Sequence, residues 1–212
     1  MTRFARAERE ALCDTFLAVG PAAPTLCGSW TTADLAVHLV VRDGRPDLMI
    51  GPRLPIVGTV AKKQLRQLKA QPWPDLVEAV RSGPPLISPT ALGPVDELVN
   101  LIECFVHHED VLRAEPGVER RGIPEAEQRA LWAALERVAR LMFRRAAVGV
   151  ELISPTGRIV AKKATPMGSV AIEGAAGELV LAAYGRYRAA DVTTRGSDEA
   201  VAALWGSKLG LG

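Results

Sequence analysis

Residues 94–114, PVDELVNLIECFVHHEDVLRA, decide how this chain is read. Pro94 opens the run, and Val95, Leu98, Val99, Ile102, Phe105 and Val106 recur at spacings of three and four, which is the pattern of a helix with one apolar face. The same run holds Glu103, His107 and His108, two of the chain's 3 histidines among them. Each helical residue advances by about 100°, so Glu103 and His107 stand about 40° apart on one face, while Glu103 and His108 are about 140° apart. Glu103 and His107 can therefore reach one ion together, and His38 is the remaining imidazole that can complete three protein ligands from a facing helix. Asp110, seven residues after Glu103, returns to nearly the same face and is placed to orient a ligand. Three ligands leave a coordination position open, as in reactive metal sites. The same spacing also suits a simple hydrogen bond between Glu103 and His107 with His38 an ordinary core histidine, and no HExxH-like motif decides between the two.

Outward from this helix the periodicity continues. Residues 3–19 place Phe4, Ala7, Ala11, Leu12, Phe16 and Leu17 at helical spacing and end at Gly20-Pro21. Thr31 and Asp34 form a variant capping box before a second helix through DLAVHLVVRD, which carries His38. Residues 44–58 are too rich in Gly and Pro for a helix interior and read as a long loop. Helical stretches follow through AKKQLRQLKA and PWPDLVEAV, SGPPLISPTALGP breaks the chain, and Pro124 opens a long helix with Leu131, Leu135, Val138 and Leu141 inward. The texture changes near Ala147. VGVELIS and RIVAKKA are short β-prone runs joined at Pro155-Thr156-Gly157, SVAIEG adds a third strand, residues 173–186 a helix, AADVTT a strand and SDEAVAALWG a last helix. The expected fold is an α-helical four-helix bundle over residues 1–146 followed by a small α+β domain over 147–212.

With 48% hydrophobic residues and 24% charged, the 212 residues can bury a sizeable core. The net charge of +2 is spread over 26 basic and 24 acidic residues without a basic block, so a small molecule or a protein is the expected partner and nucleic acid is not. The N-terminal residues mix charged and apolar types without the apolar run of a signal peptide or membrane span, which makes the cytoplasm the expected compartment. Cys13, Cys27 and Cys104 lack CxxC spacing and read as buried reduced thiols, Cys104 as a packed one. Trp30 reads as an anchor of the bundle.

The run CGSWTTADLAVHLVVRD, together with ECFVHHEDVLRA, resembles the two motifs of the mycothiol-dependent maleylpyruvate isomerase family, within the wider DinB-like metal-binding bundles. GELVLAAYGRYRAADVTTRGSDEAVAAL resembles the sterol-carrier-like domain that follows the bundle there, so the likeness covers most of the chain, residues 44–93 excepted. The resemblance implies a divalent metal, usually zinc, on His38, Glu103 and His107, with mycothiol as co-substrate. It also implies an assisting arginine in the C-terminal domain, for which Arg186 is the candidate and Arg188 the second choice. A thiol on a divalent cation is deprotonated at neutral pH. The implied activity is thus attack of that thiolate on a small electrophile, as an isomerase or an S-transferase. A non-catalytic metal or thiol carrier or sensor is the alternative, and a metal-free helical interaction module is a third reading.

Overall fold

The structure, a computed structural model, describes residues 3–45, 48, 58–84, 93–115 and 117–210. Most of the loop read over 44–58 and of the break at 82–94 lies outside the described residues, as do the side chains of Val95, Leu98 and Val99. Two compact units are formed, Met1–Arg120 and Arg121–Gly212.

The first unit is helical: α1 (Arg3–Val19), α2 (Thr32–Gly44), α3 (Gly58–Lys69), α4 (Trp73–Ser82) and α5 (Gly93–Leu112). α1 packs on α5 and α4, and α2 on α4 and α3. Leu12 and Phe16 of α1, Leu35 and Leu39 of α2, and Leu76, Val77 and Val80 of α4 form one apolar cluster. Burying each such side chain stabilises the unit by about 1.5–3 kcal/mol relative to exposure. Phe16 meets the edge of Trp73 at 5.6 Å between ring centroids, and Trp73 Nε1 donates to the Phe16 carbonyl, locking α1 to α4. The capping box read at Thr31 is present in both halves: the Thr31 side chain accepts from Asp34 N and Asp34 Oδ2 accepts from Thr31 N.

The buried stripe of α1 differs from the one expected. It runs through Ala5, Glu8, Arg9, Leu12, Cys13 and Phe16, leaving Ala7 and Leu17 exposed. Leu17 stands about 100° around the helix from Phe16, so one face cannot bury both equally. Charged Glu8 and Arg9 occupy the inner face because partners on other helices neutralise them, as described below.

In the second unit, α6 (Glu125–Met142) precedes a sheet of β1 (Gly149–Ser154), β2 (Gly157–Lys162), β3 (Ser169–Glu173) and β4 (Thr193–Arg195), with α7 (Ala176–Ala183) and α8 (Asp198–Trp205). The strand order is β2-β1-β3-β4, with β1 antiparallel to β2 and parallel to β3, and β3 antiparallel to β4. α6 packs on α7 and β2, so compactness groups this long helix with the sheet, whereas the texture of the sequence changes only at 146/147. Leu141, expected inward, is exposed, since the buried face of α6 follows Leu131, Leu135, Ala139 and Met142. The strand expected over 189–194 shrinks to Thr193–Arg195: the N–H groups of Ala189 and Ala190 donate to the Arg186 carbonyl in a turn, and Asp191 N donates to Glu178. Gly149 is required at the start of β1, because a Cβ there would stand 2.6 Å from Ala164 Cα.

Candidate metal centre

α2 and α5 supply the three residues singled out from the sequence. His38 Nε2 lies 3.2 Å from Glu103 Oε1, His107 Nε2 lies 3.3 Å from the same oxygen, and all three donor atoms fall within 4.8 Å of one another. The His38 and His107 rings meet edge to face at 5.2 Å. About a fifth of the His38 and Glu103 side chains is exposed, 19% and 20%, while His107 is buried at 8%. The cluster is thus anchored at His107 and open toward solvent on its other side.

His107 uses its second nitrogen inward. Nδ1 lies 2.9 Å from Oδ2 of fully buried Asp110, which leaves Nε2 for the cluster, the arrangement by which carboxylates orient metal-binding imidazoles. Cys27 Sγ also donates to Asp110 Oδ2 at 3.0 Å and lies 3.9 Å from His107 Nδ1. Cys27 is held there by the segment before α2, where Leu26 N donates to the Asp110 carbonyl and Cys27 N to Thr25 Oγ1. Cys27, His107 and Asp110 form a second converging donor group on the far nitrogen of the same ring. His108 does not join either group. Its Nδ1 lies 2.8 Å from Glu8 Oε1 and its Nε2 2.9 Å from Thr15 Oγ1, on the α1 side of α5.

The electrostatics suit a cation. Burial opposes ionisation of Glu103, but hydrogen bonds from His107 and His38, with the charges of His107 and Arg42, hold its carboxyl well below the usual carboxylate range. Burial likewise opposes protonation of His107, and hydrogen bonds to Asp110, Cys27 and Glu103 outweigh it and raise its pKa well above the usual histidine value.

Arg42, not anticipated from the sequence, sits beside the cluster. Its Nε lies 3.2 Å from Glu103 Oε1, and its Nη1 reaches both Asp43 Oδ1 and Asn100 Oδ1 at 2.8 Å. Asp43 Oδ2 in turn pairs with Arg9 at 2.7 Å, and Arg9 Nη1 donates to the Val80 carbonyl, so a buried charge chain links α1, α2, α4 and α5 behind the cluster. Arg42 is one turn after His38 and Asn100 almost one turn before Glu103, a spacing from which both were legible.

Trp30 is 39% exposed and does not anchor a core: its ring lies 5.3 Å from that of His38, forming a wall of the cluster. Cys104 is buried as expected, and burial pushes its thiol up to about 12. Arg186 lies in the second unit, directly after α7. Gly185, at φ 84°, ends that helix in a Schellman motif, with Arg186 N donating to the Leu181 carbonyl and Gly185 N to that of Ala182. The Arg186 guanidinium donates to the Tyr184 carbonyl at 2.6 Å, and that of Arg188 lies 5.7 Å from the centre of the Tyr187 ring.

No family model matches this chain, and no curated protein matches its sequence. Among solved structures it is similar to the mycothiol-dependent maleylpyruvate isomerase, with a TM-score of 0.60 and 18% identity over 90% of each chain. It is similar also to a point mutant of that enzyme, with a TM-score of 0.57 and 18% identity over 90% of each chain. In fold, this chain is like the mycothiol-dependent maleylpyruvate isomerase, whose family its His38 and Glu103-to-His107 runs resemble.

Proposed function

We propose that the chain is a metal-dependent enzyme that uses a low-molecular-weight thiol, mycothiol, against a small electrophile, with His38, Glu103 and His107 holding one divalent metal, zinc by preference. The observation that carries this reading is the convergence of both Nε2 atoms on Glu103 Oε1 while Asp110 occupies Nδ1 of His107. Two imidazoles and a carboxylate are a donor set that suits zinc and leaves a position for an exchangeable ligand. When bound, such a metal supplies a thiolate at neutral pH from a thiol that coordinates it.

The chain's own groups do the rest. Asp110 fixes the tautomer of His107 and so keeps Nε2 turned to the cluster. Arg42 offsets the negative charge of Glu103 and Asp43 and fixes the carboxylate's orientation. The Trp30 ring covers one side of the His38 ring. The partly exposed edge at His38 and Glu103 is the approach for thiol and electrophile. Arg186 is the candidate for the catalysis-assisting arginine that the resemblance implies, with an anionic group of the substrate as what it holds. The reaction is either a reversible thiol addition that isomerises a double bond or an S-transfer. The domain layout that accompanies this reading is a DinB-like four-helix bundle over 1–146 and a sterol-carrier-like domain over 147–212, in a cytoplasmic protein.

Protein purified without a histidine tag is assayed for metal content and then for consumption of mycothiol with a panel of small electrophiles. One equivalent of metal with metal-dependent thiol consumption supports the proposal. Metal without turnover leaves a carrier or sensor, and protein that takes up no metal overturns it.

A further inference from the structure

The first unit buries a second set of chemically capable groups that the metal centre does not use. Glu8 and Thr15 lie on α1, seven residues apart and so on one face, and His108 of α5 fits between them. Glu8 Oε1 stands 2.8 Å from His108 Nδ1, and Thr15 Oγ1 stands 2.9 Å from His108 Nε2. Glu8 and His108 are 3% and 4% exposed, whereas Thr15 is only half-buried. With a carboxylate accepting from Nδ1–H, Nε2 is left as an acceptor and the Thr15 hydroxyl as the donor to it. That is the hydroxyl, imidazole and carboxylate order by which an alcohol is activated as a nucleophile, a constellation defined by geometry and roles and not by its place in the chain.

Thr15 itself is not enclosed in the core. Thr15 lines a cavity of about 430 Å³ whose walls include Val19, Pro24, Val111, Leu112 and Val118, with the exposed carboxylate of Glu115 among the lining residues. That volume lies in the range of small-molecule sites, and mostly apolar walls with few polar groups are their usual composition. Apolar walls suit a short hydrocarbon group, and Glu115 disfavours an anionic one.

We propose that Thr15 is a nucleophile that takes an acyl group from a small uncharged ester held in this cavity, with His108 as its base and Glu8 orienting the ring. In the step, Thr15 Oγ1 bonds to the acyl carbon and passes its proton to His108 Nε2. The ester C–O bond breaks, and the leaving oxygen takes that proton from His108, so the products are acyl-Thr15 and the free alcohol. Assistance by a positioned base speeds such a step by about 10²–10⁴-fold.

The probe is p-nitrophenyl butyrate, added to the intact protein. The expected result is a burst of one equivalent of nitrophenol, one butyryl group per chain by mass, and its location on the peptide containing Thr15. Thr15→Val should abolish the burst, Thr15→Ser should retain it at the same position, and His108→Gln should slow it at least about tenfold, in keeping with the loss of general-base assistance. Circular dichroism confirms that each variant is folded, and if Thr15→Val is not, the position of the label in wild type and Thr15→Ser decides. No burst, or a label on lysine or cysteine with Thr15 unmodified, overturns the proposal. Metal content plays no part in this assay, so its failure leaves the metal centre untouched.

Discussion

Replacing Glu103 with Gln keeps the side chain's size and removes the charge toward which His38, His107 and Arg42 are turned. The unit has an apolar core of its own, so Glu103→Gln should lose metal and thiol-dependent activity together while its circular dichroism stays that of wild type. Unfolding of this variant would make the centre a structural staple and remove the enzymatic reading. The two adjacent histidines separate in the same way. His107 faces Glu103 and Asp110, and His108 faces Glu8 and Thr15, so metal analysis should find the ion lost in His107→Ala and kept in His108→Gln. The reverse pattern contradicts the assignment. The cysteines give a third test at this scale. Burial pushes the thiols of Cys13 and Cys104 up to about 11 and about 12, while Cys27 is only half-buried. Since the thiolate is the reactive form, a raised pKa withholds it, and a maleimide at mildly alkaline pH should label Cys27 well before the other two in folded protein. Peptide mapping after brief labelling reads the order, and labelling of Cys104 first would contradict the packing around α5.

Among the elements, the buried charge chain behind the centre is the strongest stability prediction. Arg9 and Asp43 pair at 2.7 Å with side chains 1% and 5% exposed, so Asp43→Ala leaves the guanidinium uncompensated inside the unit, at a cost of about 3–5 kcal/mol. The Arg6–Glu10 pair on the outer face of α1 is 71% and 47% exposed, and Glu10→Ala should change stability by at most about 1 kcal/mol. Urea unfolding of both variants compares them, and equal midpoints would contradict the burial described for α1. This chain also shows what the sequence could not convey. Glu103 and His107 were legible because helix geometry fixes residues four apart, and the capping box of α2 because Thr31 and Asp34 carry their own chemistry. Glu8 and Arg9 were not, since a charged residue in an apolar stripe is ordinarily solvated and its burial depends on partners 100 and 34 residues away, His108 and Asp43. The short β4 was overread because β-prone residues at 192–194 do not reveal that Ala189 and Ala190 spend their N–H groups on a turn.

For the whole molecule, the order of helical unit then α+β unit was readable from the change in period. α6 has the periodicity of a bundle helix and packs on α7 and β2, within the compact unit Arg121–Gly212. The substrate is not encoded in either pattern, since the electrophile would be recognised by shape and by groups dispersed along the chain. If His38, Glu103 and His107 hold a metal on which a small thiol is activated, cobalt substitution reveals it. One equivalent of Co²⁺ should bind, and adding mycothiol should produce a near-ultraviolet thiolate-to-cobalt charge-transfer band in wild type and in Cys27→Ser. His107→Ala should show neither the binding nor the band. Stoichiometric cobalt with no band on adding mycothiol, or a band that persists in His107→Ala, would contradict it.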